Sequence, residues 1–439
     1  MSVISKILNK LSNPMFKNSL WMMSEKLISI FGLIFVTSFV AKYIGPENFG
    51  KLTFVTSIFA IVQTIALMGT ENIIFQKTAK NRKFGEYLIF ASKKIRDYIY
   101  KVFCVVILVV IYIYTDRLTF IFGFATGIAI YFAVHDVYSI YFNAILESKI
   151  NAYCNIVALI ISLLVRYLIV FFKLPIEFLA LPIVLITFIP FVIRKYIYIK
   201  KRIIIKPNEK LTIWRYRKYT FLIGRKLIIY SLSVAIFTKT SHIILGFYSK
   251  SELGIYIVAS TLGFSYYFIL YSIISSFFTN IYQENDIDKA DFLVARLNLL
   301  ILVIFIVFYL IFSTFGDFII VKLYGEDFLE AKEILMLIVF ACLFSGISTV
   351  SDKYIMKFNS YNYLRIKTNI LVLLNFLLSF YFISRFGLKG AAISILITEL
   401  LAATVLNYFF KSGLIFKNHI QLVNVNFFKK LLGRENVKF

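Results

Sequence analysis

Long apolar runs and short polar breaks alternate along this chain from end to end. Twelve runs of crossing length can be drawn, at 19–42, 51–70, 98–115, 118–140, 152–172, 176–194, 220–247, 253–280, 292–314, 333–355, 364–384 and 389–410. A helix needs about 20 mostly apolar residues to cross a hydrocarbon layer about 30 Å thick. The short alternating segments that build an outer-membrane barrel do not occur. The pattern predicts an all-α polytopic membrane protein with about twelve transmembrane helices. Ahead of the first run, Val3, Ile4, Ile7, Leu8 and Leu11 recur at helical spacing around Lys6 and Lys10. That spacing predicts a short interfacial amphipathic helix, and no small-residue cleavage site follows it to suggest a removable signal.

Composition agrees and adds an orientation. The 439 residues are 60% hydrophobic and 16% charged, against about 25% charged in a soluble domain. A formal charge of +25 would suit a nucleic acid, but the basic residues gather in alternate loops. The segment 71–97 carries Lys77, Lys80, Arg82, Lys83, Lys93, Lys94 and Arg96, and 195–219 carries nine more from Lys195 to Lys218. The positive-inside rule accounts for most of this excess. It places both termini in the cytoplasm, with no nucleic-acid partner, although the acidic loop 283–291 runs against the trend. Cys104, Cys154 and Cys342 lie inside apolar runs, which points to small buried side chains rather than a disulfide or a metal site.

The basic loop 195–219 divides the runs six and six, and a turn recurs across it. Pro46-Glu47-Asn48-Phe49-Gly50 lies over Lys250-Ser251-Glu252-Leu253-Gly254 at an offset of 204. Further along, FKLPIEFLALPI (172–183) lies over FGLKGAAISILI (386–397) at an offset of 214. Parallel repeats of six-helix halves are a transporter feature. The predicted organisation is an amphipathic segment (1–18), an N-lobe (19–194), a basic linker (195–219), a C-lobe (220–410) and a basic cytoplasmic tail (411–439).

The same stretches resemble a known family. AKYIGPENFGKLTFVTSIFAIVQTIALMG (41–69) resembles the first hairpin of the Wzx-type polysaccharide flippases of the MOP (MATE-like) superfamily, through Lys42, Gly45, Pro46, Phe49, Gly50 and Gly69. Tyr324, Gly325, Phe328 and Ala331 are similar to the family's turn before span 10, and Phe386–Ser394 to its start of span 12. One departure stands in KTSHIILG, where Ser241 or His242 occupies a place that many relatives give to an acid. The resemblance implies two pseudo-symmetric lobes in a V around a central cavity. It also implies a lipid-linked oligosaccharide, carried on undecaprenyl pyrophosphate, flipped from the cytoplasmic to the outer leaflet of a bacterial plasma membrane by alternating access. The product would be a surface polysaccharide such as the O-antigen of lipopolysaccharide or a capsule. A polysaccharide polymerase and a chain-length regulator are implied partners, the chain itself is expected to be a monomer, and no cofactor is expected beyond Na+ or H+ coupling.

Such a cargo needs a polar, cationic shelter, and charges in spans usually face a bundle interior or an aqueous cavity. A basic residue at a helix centre costs about 2.5–3.5 kcal/mol on insertion scales, so each calls for an offset. Arg166 and Lys239, with Arg225 and Lys226, are the candidate substrate-binding residues; an internal ion pair is the alternative for the first two. Arg225, Lys226, Asp352 and Lys353 can equally snorkel to the interface. Glu25, Asp136 and Glu399 are the candidate ion-coupling residues, or counter-ions to buried bases. His135-Asp136 reads either as a pH-sensitive pair or as packed core, and FSYYF (264–268) either as sugar-stacking rings or as apolar bulk. Two other functions compete. A MATE-type cation-coupled drug antiporter shares the architecture but would want an acidic cavity. A membrane-embedded polysaccharide polymerase or ligase would want a large outer loop, and the longest outer connection is only 314–332. No HExxH, GxSxG or P-loop motif occurs, so a transporter rather than an enzyme is expected.

Overall fold

The computed structural model describes residues 14–203 and 210–421. The amphipathic helix expected at 2–13 and most of the basic tail lie outside the described residues. Among those described there is no strand. A backbone in hydrocarbon must satisfy its own polar groups, and a helix does so within one segment.

The first helix, α1 (Pro14–Leu67), is broken at Gly45, whose φ of 74° and ψ of 172° are non-helical. Few residues other than glycine adopt that conformation, and Pro46 then restarts the helix at a position where it needs no N–H partner. There follow α2 (Thr70–Lys80), α3 (Arg82–Tyr114), α4 (Arg117–His135), α5 (Tyr138–Ala144), α6 (Ser148–Phe171) and, after a short 3-10 turn, α7 (Ala180–Lys201). The chain continues with α8 (Lys210–Tyr248), α9 (Lys250–Gly263), α10 (Tyr267–Gln283), α11 (Ile287–Tyr324), α12 (Ala331–Lys357) and α13 (Tyr361–Ala403). Two short helices, α14 (Val405–Tyr408) and α15 (Leu414–Gln421), close the described chain.

Nine described stretches are long and apolar enough to cross a membrane. One of them, Tyr361–Tyr408, runs to 48 residues, more than twice what a crossing needs. It is broken at Gly387 (φ 51°, ψ −125°). With the first arm of α1, α8 and the two arms of α13, helix covers all twelve expected spans. Two expected loops are helical instead. Segment 71–97 forms α2 and most of the first half of α3 because Ile73, Ile74, Leu88 and Ile89 are buried with Val137, Tyr141 and Tyr198 in one apolar cluster. Asn81 separates the two helices, its side chain accepting from the Phe84 N–H at 3.3 Å. The connection expected at 314–332 shrinks to Gly325–Glu330, since α11 runs on to Tyr324.

The chain forms two compact units, Met1–Lys239 and Thr240–Phe439. The division falls inside α8, later than the basic linker, because the first part of that helix packs on the N-terminal unit. Tyr216 and Tyr219 meet the Phe84 ring edge to face at 5.0 and 6.1 Å. Within the N-terminal unit α1 packs on α4 and α6, and α7 on α4 and α6. Within the C-terminal unit α12 touches α9, α11 and α13. Its apolar window is 61% buried, the highest share of the nine stretches, so α12 is that unit's core helix.

Candidate functional site

Each unit buries a polar cluster, and the two differ in kind. In the N-terminal unit, Arg194 near the end of α7 is 4% exposed. Its Nη1 donates to Asp136 Oδ2, at the break between α4 and α5, and its Nη2 to Asn155 Oδ1 on α6. One guanidinium therefore ties three helices. Asn151 adds to the cluster, donating to Ser139 O at 2.7 Å and Asn143 Oδ1 at 2.8 Å. His135 does not pair with Asp136, contrary to one sequence reading. Its Nδ1 lies 2.8 Å from Tyr131 O and its Nε2 3.5 Å from Asp97 Oδ1. The adjacent side chains leave the helix in different directions, and the charge partner of Asp136 is an arginine 58 residues away.

In the C-terminal unit a seam of hydroxyls and amides runs between helices. Ser241 Oγ on α8 lies 3.1 Å from Ser379 Oγ, which lies 3.2 Å from Ser394 Oγ, both on α13. Asn375 donates to Thr398 Oγ1 at 3.4 Å. Ser241, one of the two residues read at the place where many relatives carry an acid, thus lies in a seam of neutral hydroxyls. At one end of the seam Lys367 is 4% exposed and donates to Asp352 Oδ1 and, at 3.2 Å, to Ser348 Oγ. Glu399 is 8% exposed, with Ser345, Lys367 and Asp352 as its electrostatic neighbours.

The predicted residues fall out as follows. Glu399 and Asp352 come together around Lys367, and Asp352 is an ion-pair partner rather than a snorkelling charge. Asp136 is held by Arg194. Arg166 on α6 and Lys239 on α8 are half-buried, and neither forms an ion pair among the described residues. The side chains of Glu25, Arg225 and Lys226 lie outside the described ones. Lys353 stands over the Tyr271 ring at 5.4 Å. In FSYYF, Tyr266 is core: it is fully buried, stacks on Phe308 at 4.8 Å and donates to Val339 O at 2.6 Å. Tyr267 is tied to Thr349 at 2.8 Å.

Sequence reasoning missed Lys367, Arg194 and the buried Arg96. For Lys367 a signal existed: Lys367, Asn375 and Ser379 keep near-fourfold spacing in an otherwise apolar run, and Ser394 and Thr398 do the same. Such spacing puts the polar atoms on one helix face. Arg194 stood at the edge of its run, the last residue of the span 176–194, and was not singled out.

The fold defines the class: a multi-pass membrane protein with the MurJ/MATE-like transporter fold. A lipid II flippase MurJ in its inward closed conformation matches at a TM-score of 0.66 and 16% identity, over 95% of this chain and 94% of that one. A multidrug resistance MATE family transporter of the MOP superfamily matches, inward-facing, at 0.62 and 14% identity over 91% and 96% of the two chains. An outward-facing one matches at 0.55 and 12%, over 95% and 96%. No curated protein matches the sequence. The family is shown by its own model: the one described as "Polysaccharide biosynthesis protein" matches residues 39–333, about two-thirds of the chain, and the chain belongs to that family.

Proposed function

We propose that the chain is a flippase for a lipid-linked oligosaccharide, moving repeat units on undecaprenyl pyrophosphate from the cytoplasmic to the outer leaflet by alternating access. The observation that carries this reading is the pair Arg166 and Lys239. Both are half-buried in spans, without an ion pair among the described residues, in a chain of a polysaccharide biosynthesis family. A cation kept in a span without a protein partner is suited to an anion that comes and goes. The other buried bases differ, since Arg194 and Lys367 are each committed to a carboxylate.

The basic bias favours an anionic cargo over the drug cation of a MATE-type antiporter. An outer connection reduced to Gly325–Glu330, between Tyr324 and Ala331, speaks against a polymerase or ligase domain. In this reading both termini are cytoplasmic, the membrane is a bacterial plasma membrane, and a polymerase and chain-length regulator act downstream on the delivered units. If transport is coupled to H+ or Na+, Glu399 is the best placed of the three acids proposed for it. It is buried, and Lys367 is already bonded to Asp352.

The test is export of surface polysaccharide by Arg166→Ala and Lys239→Ala variants at matched protein levels. A charge-assisted hydrogen bond is worth about 1.5–3 kcal/mol, so each variant should lose roughly tenfold or more in flux. Undiminished export by both variants would remove these residues from the transport path.

A further inference from the structure

Away from those two cations, the N-terminal unit holds a cavity of about 260 Å³. It is lined by α3, α4 and α7 and by Tyr138 at the start of α5. Its charged lining is of one sign: Lys93, Arg96 and Lys195, with His135 beside them and no carboxylate. Two nearby acids are already engaged. Asp97 is bound to Lys101 at 2.8 Å and lies by His135, and Asp136 is held by Arg194. Glu71 on α2 is a charge neighbour of Arg96 but forms no ion pair with it among the described residues.

Arg96 is the telling residue. It is 2% exposed and among the largest fully buried side chains. One N–H goes to Ser92 Oγ, while its buried Nε has no hydrogen-bond partner among the described residues. A buried cation with unused donors carries a large cost unless an anion completes it. The planar guanidinium fork matches a phosphate, which it can bind through two parallel N–H bonds. The remaining wall is aromatic: Tyr131, Phe132, Tyr138 and Phe191, with Phe132 and Phe191 rings 5.5 Å apart. Lys195 stands over Phe191 at 5.4 Å, and Lys93 is exposed at the rim. The volume lies below the roughly 300–1,000 Å³ of pockets that take a whole drug-sized ligand. It suits a compact charged head with an apolar stem, not an oligosaccharide.

We propose that this pocket is a phosphate site for the head of a phosphorylated lipid, with Arg96 at its floor and Lys93 and Lys195 at its mouth. In the orientation given by the basic loops it opens at the cytoplasmic end of the N-terminal unit, where a lipid-linked saccharide would first be met. That source, a polyprenyl pyrophosphate, rests on the flippase reading; a bulk anionic phospholipid would offer the same chemistry.

The experiment is native mass spectrometry of the purified full-length protein. The probes are a short-chain polyprenyl pyrophosphate, the matching polyprenyl alcohol, and phosphatidylglycerol. The wild type should retain the pyrophosphate and not the alcohol. A Lys93→Ala/Lys195→Ala variant, whose changes sit at the rim and spare the core, should bind at least tenfold more weakly. Arg96→Lys, which keeps the charge and loses the fork, should fall between. If phosphatidylglycerol displaces the pyrophosphate at equal concentration, the site stands and bulk phospholipid is its occupant. If it does not, the site stands and the pyrophosphate is. Equal retention of both phosphorylated lipids by the wild type and the double variant overturns the site. The readout involves no transport. Lost export in the Arg166 and Lys239 variants beside unchanged binding here would defeat this site alone, and the reverse result the flippase reading alone.

Discussion

The two units solve the same problem, polar atoms inside a membrane bundle, in opposite ways. The N-terminal unit uses a charged tie, Arg194 with Asp136 and Asn155, across three helices. The C-terminal unit uses neutral partners in series, Ser241 to Ser379 to Ser394 and Asn375 to Thr398, beside a charged cluster of Lys367, Asp352 and Glu399. A neutral hydrogen bond nets only about 0.5–1.5 kcal/mol, whereas removing one member of a buried ion pair costs about 3–5 kcal/mol. The first arrangement locks helices together. The second joins helices by bonds that are individually cheap to exchange.

The largest expected effect tests that contrast directly. Arg194→Ala leaves Asp136 buried without its cation and should destabilise by about 3–5 kcal/mol, read as a fall in the thermal midpoint in detergent. Lys367→Met should cost less, because the Asp352 side chain is 37% exposed and water screens the charge left behind. Adding Asp136→Asn or Asp352→Asn to its partner's variant should recover part of the loss, since the remaining group is then neutral. By contrast Ser379→Ala, in the neutral seam, should cost no more than about 1.5 kcal/mol. Equal losses for Ser379→Ala and Arg194→Ala would erase the distinction between the two interiors.

The repeated turns give a second, smaller test. At the offset of 204 Gly45 lies over Ser249, and the two make the break differently. Gly45 takes a positive φ, whereas Ser249 is extended (φ −151°) and caps α9 by accepting from the Glu252 N–H at 3.2 Å. At the offset of 214 Lys173 lies over Gly387, and both have positive φ, 48° and 51°. The turns also meet within each unit. Tyr43 donates to Leu174 O at 2.8 Å in one. In the other the Glu252 carboxylate packs on Gly387, where an added Cβ would lie 2.6 Å from Oε2. Alanine at Gly45 or Gly387 should cost about 1–3 kcal/mol from backbone strain. Gly387→Ala should be the worse of the two, because nothing lies within 4 Å of the Cβ position at Gly45.

The smallest effect is one of pH and belongs to the C-terminal unit. On α15, outside the spans, burial pushes the His419 pKa down to about 4, from an ordinary value of about 6.5. A depressed pKa means that the unfolded segment binds the proton more readily. Docking of α15 is then at full strength above about pH 6.5 and weakens as the pH falls toward 4. Hydrogen exchange over Leu414–Gln421 should speed up between pH 7 and 5 relative to a His419→Gln variant. A pH-independent difference would show that His419 is not the titrating group.

Much of this was legible in the chain. Helix covers all twelve of the apolar runs, and Gly45-Pro46 marked a real break. Resemblance at Lys42–Gly69 led to the family that the model match shows. The basic stretch 71–97 was read as loop because its charges were counted without its period, yet Ile73, Ile74, Leu88 and Ile89 already carried a helical face. The site was less legible. Glu399 and Asp136 could be singled out as charges in apolar runs, but not Lys367 or Arg194 as the residues that hold or neighbour them.

The sequence by itself determined what one segment can decide alone: which stretches enter hydrocarbon, where glycine must break a helix, and which charges are expensive. Run length, turn chemistry and insertion cost are local quantities. Only the tertiary structure decided which of those charges are satisfied. Arg194 and Asp136 are 58 residues apart in sequence, and Lys367 and Asp352 lie on different helices. Their pairing depends on how helices rotate against one another, and that rotation is set by packing across the whole unit. Arg166 and Lys239 look equally costly in the sequence, whereas Arg96 reads there as a loop residue. Packing alone buries Arg96 and leaves all three without an ion pair among the described residues.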